Sequence, residues 1–182
     1  MIETLVRTRL DRSELIRRAR RLRWLLLDVD GVLTDGRLYY TPEGTALKAF
    51  HVRDGLGLQL LRQDGLRVGS LTSRADLAWT HRSRELGLDE RIEGVHDKGA
   101  AFERFLHDQG LEAPQVAYAG DDLPDLPVIA RAGLTATPAD AAAEVRDAVD
   151  VVLATAGGHG AVRELAELLL AARRADDPDD AS

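Results

Sequence analysis

Residues 23–29 read Arg-Trp-Leu-Leu-Leu-Asp-Val, an apolar run with no polar alternation. A strand of this kind is buried on both faces, which places it inside a parallel sheet rather than on a half-solvated one. The run ends in two carboxylates one residue apart, Asp28 and Asp30, and the chain then passes Gly31 and Gly36. Such carboxylates repel each other unless a cation or a proton lies between them.

Further apolar strands are expected at 67–71, 115–119, 134–137 and 150–153, with a shorter one at 91–94. Helices are expected between them at 76–86, 99–110 and 160–174. In the last, Val162, Leu165, Ala166 and Leu169 recur at helical spacing. A short N-terminal helix ends near Arg21, with Asp11 as its cap and Glu14 three residues on. Strand alternating with helix predicts an α/β fold, a Rossmann-like, mostly parallel sheet flanked by helices. Its ligand site belongs beyond the carboxyl ends of the strands.

This order divides the chain into a helical arm (1–22), one domain (23–172) and a polar acidic tail (173–182). Residues 37–52 break the rhythm. Two extended arms around a Pro-Glu-Gly turn predict a small β-hairpin insertion, too short for a cap domain.

The 182 residues suffice for one well-filled core. A net charge of -7 argues against diffuse attraction to nucleic acid or an anionic membrane. With no cysteine, disulfides, thiolate catalysis and cysteine-based zinc sites are excluded. The charged N-terminal residues lack the apolar run of a secretory signal, and no segment has the apolar length of a membrane span, so a cytoplasmic location is expected.

An Asp-x-Asp after a strand is weak evidence alone, because aspartates there often cap turns. A second acidic cluster, Ala-Gly-Asp-Asp-Leu-Pro-Asp at 119–125, follows another apolar strand. Parallel strands bring both clusters to one sheet edge, where hard oxygen ligands suit Mg²⁺. Thr72, Ser73 and Arg74 follow the strand at 67–71, and Lys98 opens the helix after 91–94. Cations, hydroxyls and helix N-termini around a carboxylate pair are what a transferring phosphoryl group requires.

LLLDVDGVLTDG, LTSR, Lys98 and AGDDLPD resemble, in order, the four motifs of the haloacid dehalogenase-like phosphatase superfamily. The resemblance implies a capless core of that superfamily and Mg²⁺-dependent phosphomonoester hydrolysis. It implies that Asp28 is the nucleophile and Asp30 the acid and base, with Thr72 and Lys98 holding phosphoryl oxygens. Asp28, the Asp30 backbone carbonyl and Asp121 would bind the metal, supported by Asp122 and Asp125.

DGVLTDGRLYYTPEGTALKAFHVRDGLG, GDDLPD and AGGHGAVREL are similar to the 3-deoxy-D-manno-octulosonate 8-phosphate phosphatase family. That likeness implies a cytoplasmic homotetramer acting on a small phosphorylated sugar acid, a step towards lipopolysaccharide. It also implies a hairpin that covers a neighbour's active site. Arg74 would suit the substrate carboxylate through a bidentate pair. Ser73, Lys48, His51, Arg53 and His159 are further candidates for substrate contacts. Ser73 and His159 stand where the family more usually has glycine and arginine, so a nine-carbon sugar-acid phosphate or a less selective activity stays open. A phospho-receiver module is disfavoured, because its acidic pair is adjacent and its phosphorylated aspartate follows a later strand. A regulatory assembly protein is disfavoured by the complete set Asp28, Asp30, Thr72, Lys98 and Asp121.

Overall fold

The computed structural model describes residues 7–176; the outer parts of the arm and the tail, 1–6 and 177–182, lie outside the described residues. In chain order the elements are β1 (Arg7–Thr8), α1 (Arg12–Arg21), β2 (Trp24–Leu27), β3 (Tyr39–Tyr40), β4 (Ala46–Leu47), α2 (Val52–Gln63), β5 (Arg67–Leu71) and α3 (Leu77–Leu86). They continue with β6 (Glu90–Ile92), α4 (Lys98–Gln109), β7 (Val116–Ala119), α5 (Leu126–Ile129), β8 (Leu134–Thr137), α6 (Ala143–Ala148), β9 (Val151–Val152) and α7 (Ala161–Arg174).

Seven strands form one sheet in the order β1-β9-β8-β7-β2-β5-β6. All neighbours are parallel except the edge pair β1–β9. The apolar β2 is central, as its lack of polar alternation predicts. Its register pairs Leu27 with Ser70 of β5 and with Ala119 of β7. The residues just past these three strands, Asp28, Thr72 and Asp121, therefore share one sheet edge.

Alternate side chains of β2 feed two cores. Leu25 and Leu27 pack with Leu15, Leu58, Leu61, Leu165 and Leu169 from α1, α2 and α7. Trp24 and Leu26 pack on the other face with Phe102, Phe105, Val128 and Val145. Trp24 meets Phe105 edge-on at 5.0 Å, and the Arg67 guanidinium lies 4.1 Å from the Trp24 ring centroid. Truncating a fully buried leucine such as Leu26 to alanine costs about 2–5 kcal/mol.

Asp11 caps α1 by accepting from the Glu14 N–H at 2.8 Å. At the other end of the chain α7 runs to Arg174, and Arg173 and Arg174 both bind Asp64 at the end of α2.

Residues 37–52 differ in detail from two long arms. Only Tyr39–Tyr40 and Ala46–Leu47 pair, and the chain then turns at His51 into α2. Gly55 and Gly57 hide that helix in the sequence, since glycine is a poor helix former. Both face close neighbours. A Cβ on Gly55 would lie 2.7 Å from the Arg82 guanidinium, and one on Gly57 would lie 3.1 Å from Arg163 Cα and Ala166 Cβ of α7. No helix among the described residues is long and apolar enough to cross a membrane.

Candidate active site

Asp28 leaves β2 while its N–H still donates to the Ala119 carbonyl of β7, so the sheet itself fixes its backbone. Its side chain is 11% exposed; Oδ1 accepts from the Val29 N–H, and Oδ2 lies 2.8 Å from Lys98 Nζ. Lys98 is buried at the first turn of α4, which Asp97 caps, and its ammonium also donates to Asp125 Oδ1 at 2.6 Å. Thr72, equally buried, follows β5; its Oγ1 accepts from the Arg74 N–H.

Asp125 has no exposed surface. Its Oδ1 accepts from Lys98 and from the Tyr118 hydroxyl at 2.5 Å, and its Oδ2 accepts from the N–H groups of Asp121 and Asp122. Carboxylate oxygens of Asp28, Asp121 and Asp125 come within 4.8 Å of one another. Four hydrogen bonds occupy Asp125, so it braces the 120–125 turn, while Asp28 and Asp121 keep lone pairs free for an ion.

Three carboxylates here face one ammonium. Burial pushes Asp28 up to about 6, with Lys98 opposing and Asp125 adding repulsion. Burial and the charges of Asp28 and Asp125 push Asp121 up to about 8. Burial lowers Lys98, but the two aspartates outweigh it and leave its pKa raised. A hard divalent cation is the group that this oxygen set and this excess of negative charge fit.

The turn after Asp28 is built on close approach. Gly31, at φ +87°, would place a Cβ 2.0 Å from Asp121 Oδ2, and Gly120 would place one 2.4 Å from Asp125 Cγ. The glycine-rich loop before α7 folds onto this turn: a Cβ on Gly157 would lie 1.8 Å from the Gly31 carbonyl oxygen. The Gly158 N–H donates to the Val32 carbonyl.

A second lysine holds the second carboxylate. Lys48 Nζ lies 2.7 Å from Asp30 Oδ1 and 2.6 Å from Asp76 Oδ2. The Nε of Arg74 is 3.7 Å from Asp30 Oδ2. Asp76 caps α3 by accepting from the Trp79 N–H. Despite partial burial, Lys48 and that N–H hold Asp76 below the usual carboxylate range.

No family model matches the chain, but known proteins resemble it over most of its length. The 3-deoxy-D-manno-octulosonate 8-phosphate phosphatase KdsC of Haemophilus influenzae is 41% identical over 152 residues, covering 84% of this chain and 84% of the relative. KdsC of Escherichia coli K12 is 40% identical over 161 residues, covering 88% and 86%. The chain belongs to this phosphatase family. Its superfamily is the haloacid dehalogenase-like one, and its core is the capless α/β form with a small hairpin. The crystal structure of the Moraxella catarrhalis phosphatase, in complex with a magnesium ion, a phosphate ion and KDO, superposes with TM-score 0.86 at 38% identity. That match covers 93% of this chain and 97% of the other. A cobalt-bound Haemophilus influenzae phosphatase superposes with TM-score 0.82 at 40% identity, covering 86% and 91%. Members of the family thus bind divalent metals, and this chain carries a carboxylate cluster able to hold one.

The structure gathers Asp28, Lys98, Asp121 and Asp125 in one cluster and Asp30, Lys48 and Arg74 in the next. Other candidates have different surroundings. The Asp122 carboxylate accepts from the Leu123 N–H and faces outward. His51 caps α2 through its ring, accepting from the Arg53 N–H, while the Arg53 and Ser73 side chains are exposed. His159 is also exposed; its Nδ1 is 2.7 Å from the Gly157 carbonyl, a contact that requires the proton on Nδ1.

Three residues of these networks escaped the sequence reading. Asp76 looks like any helix cap, and Tyr118 like any core aromatic. Buried Asp54 accepts from the Arg163 N–H at the start of α7, which anchors the glycine loop from behind. Its only local signal is an acidic residue in the first turn of a glycine-bearing helix.

Proposed function

We propose that the protein hydrolyses 3-deoxy-D-manno-octulosonate 8-phosphate to the free sugar acid and inorganic phosphate, through a phosphorylated Asp28. The observation that carries this is a carboxylate buried at the sheet edge, 2.8 Å from Lys98 and within metal-sharing distance of Asp121. Membership in a family whose named relatives act on this phosphate supports the substrate.

Asp28 Oδ attacks phosphorus while the bond from phosphorus to the sugar oxygen breaks, and Asp30 gives that oxygen its proton. Asp30 then takes a proton from water as the water oxygen attacks phosphorus. The Asp28–phosphorus bond breaks, regenerating the carboxylate and releasing phosphate. Lys98 and Thr72 hold the equatorial oxygens during each transfer.

Mg²⁺ would be held by Asp28, Asp121 and the Asp30 carbonyl, and when bound it supplies the positive charge that keeps Asp28 ionised. Arg74, half-exposed at the rim, suits the sugar carboxylate. The exposed Leu38, Tyr39, Tyr40 and Leu47 of the hairpin support a homotetramer in which each hairpin covers a neighbour's site. We place the reaction in the cytoplasm, on the route to lipopolysaccharide.

The test is phosphate release with Mg²⁺ across a panel of sugar-acid phosphates. Preference for the eight-carbon 8-phosphate is expected. Preference for a nine-carbon analogue, or none, would reassign the substrate without touching the chemistry.

A further inference from the structure

Lys48 follows β4 on the second arm of the hairpin, and its side chain is 1% exposed. A lysine side chain so deeply covered requires close polar partners. It has two. Nζ is 2.7 and 3.0 Å from the two oxygens of Asp30 and 2.6 Å from Asp76 Oδ2. Asp76 is itself immobilised, since its other oxygen caps α3 at the Trp79 N–H, 2.8 Å away.

The order of restraint runs from α3 to Asp76, from Asp76 to Lys48, and from Lys48 to Asp30. Arg74 also reaches Asp30, but at 3.7 Å and with a side chain 54% exposed, so solvent screens it. The hairpin lysine is the firmest restraint on that carboxylate's position.

We propose that Lys48 is a positioning residue for Asp30, anchored by Asp76, and that it sets the carboxylate where it can exchange protons with the leaving oxygen and with water. This rests on the phosphatase reading above. Proton transfer requires hydrogen-bond reach, so a displaced Asp30 forfeits its contribution while Asp28 stays competent. The same link ties the acid/base to the hairpin, so the position of the insertion governs both proton transfers.

The experiment is Lys48→Met assayed with p-nitrophenyl phosphate and Mg²⁺ by stopped flow. p-Nitrophenolate leaves without being protonated, so the first transfer to Asp28 needs no acid, whereas hydrolysis of the phosphorylated aspartate needs the base. The first turnover should release nitrophenolate at the parent's rate and stoichiometry, while steady turnover falls at least about tenfold. With a sugar-acid phosphate, whose alkoxide must be protonated, the first turnover should slow as well. The stoichiometry of the first turnover also counts folded sites.

An equal fall in both phases, a rise in KM alone (the mark of a sugar contact), or no change would each overturn the assignment. If Lys48→Met yields no folded sites, Asp76→Asn, which keeps the lysine and removes its anchor, decides by the same split in a smaller degree. A parent enzyme without Mg²⁺-dependent phosphate release would reject the phosphatase reading itself. An active parent with an unsplit variant rejects only the role of Lys48.

Discussion

Asp28 and Asp30 stand one residue apart, yet their carboxylates face different lysines, Lys98 at 2.8 Å and Lys48 at 2.7 Å. The two ammonium groups come from unrelated places, one from the first turn of α4 and the other from the hairpin. Each is shared with a second buried or half-buried aspartate, Asp125 or Asp76. One short turn thereby holds two carboxylates in separate electrostatic settings, as the proposed roles of nucleophile and proton carrier require.

Asp28→Asn removes the attacking oxygen while nearly preserving shape. Turnover should fall by on the order of 10⁴ or more, as losses of a nucleophile do. The fold should survive, because asparagine relieves the repulsion with Asp125 and Asp121. Phosphate release together with the thermal midpoint checks both halves; substantial residual turnover would remove Asp28 from its role.

Metal removal should act on stability, and the sign depends on pH. Asp28 and Asp121 titrate at about 6 and about 8 in the metal-free fold, above the ordinary 3.8. Their contribution is therefore complete below the ordinary value and is lost as pH rises through about 6 and then about 8. A bound cation cancels this loss. At a hundredfold excess over its dissociation constant Mg²⁺ adds about 2.7 kcal/mol, or roughly 5–10 °C in a chain of this size. The increment over chelated protein should grow between pH 5 and pH 9, which scanning calorimetry at several pH values measures. A flat increment would mean that the ion binds elsewhere.

Gly157 offers a test of close packing. Alanine there would put a Cβ 1.8 Å from the Gly31 carbonyl oxygen, so backbone must move. A cost of about 1–3 kcal/mol is expected, with lost turnover because the displaced turn carries Asp30. Gly110→Ala is the control: its φ of +61° is unfavourable for alanine, but nothing lies within 4 Å of the added Cβ. It should lose stability of about 1 kcal/mol and keep its turnover per folded molecule.

The sheet was legible because β2 is apolar at every position, and its neighbours are marked by short apolar runs between helices. The meeting of Asp28, Thr72 and Asp121 was legible because parallel strands bring the residues after them to one edge. The helix α2 was not, since its glycines answer to Arg82 and α7 across the fold rather than to local propensity. Asp76 and Lys48 are 28 residues apart in the chain and meet only once the hairpin folds over α3. No local pattern encodes that meeting. Lys48 was visible as a charge near the site, but its partners belong to tertiary structure.

The hairpin carries the last prediction. Tyr39 and Tyr40 are 45% and 62% exposed, beside Leu38 and Leu47, on strands of only two residues each. An isolated two-stranded hairpin is marginal in water, and aromatic side chains left on it lose the burial that would fix it. A second copy of the chain supplies that burial in the proposed homotetramer. Aromatic anchors at an interface commonly contribute about 2 kcal/mol or more each, so one truncation should weaken association by about thirtyfold. Light scattering on the parent should give the tetramer mass, and Tyr39→Ala/Tyr40→Ala should shift it to smaller species at the same concentration. Because Lys48 lies on the same hairpin, that variant should also lose sugar-acid phosphatase turnover. A parent that is fully active as a monomer would break the link between assembly and the site. A dissociated variant with unchanged turnover and selectivity would do the same.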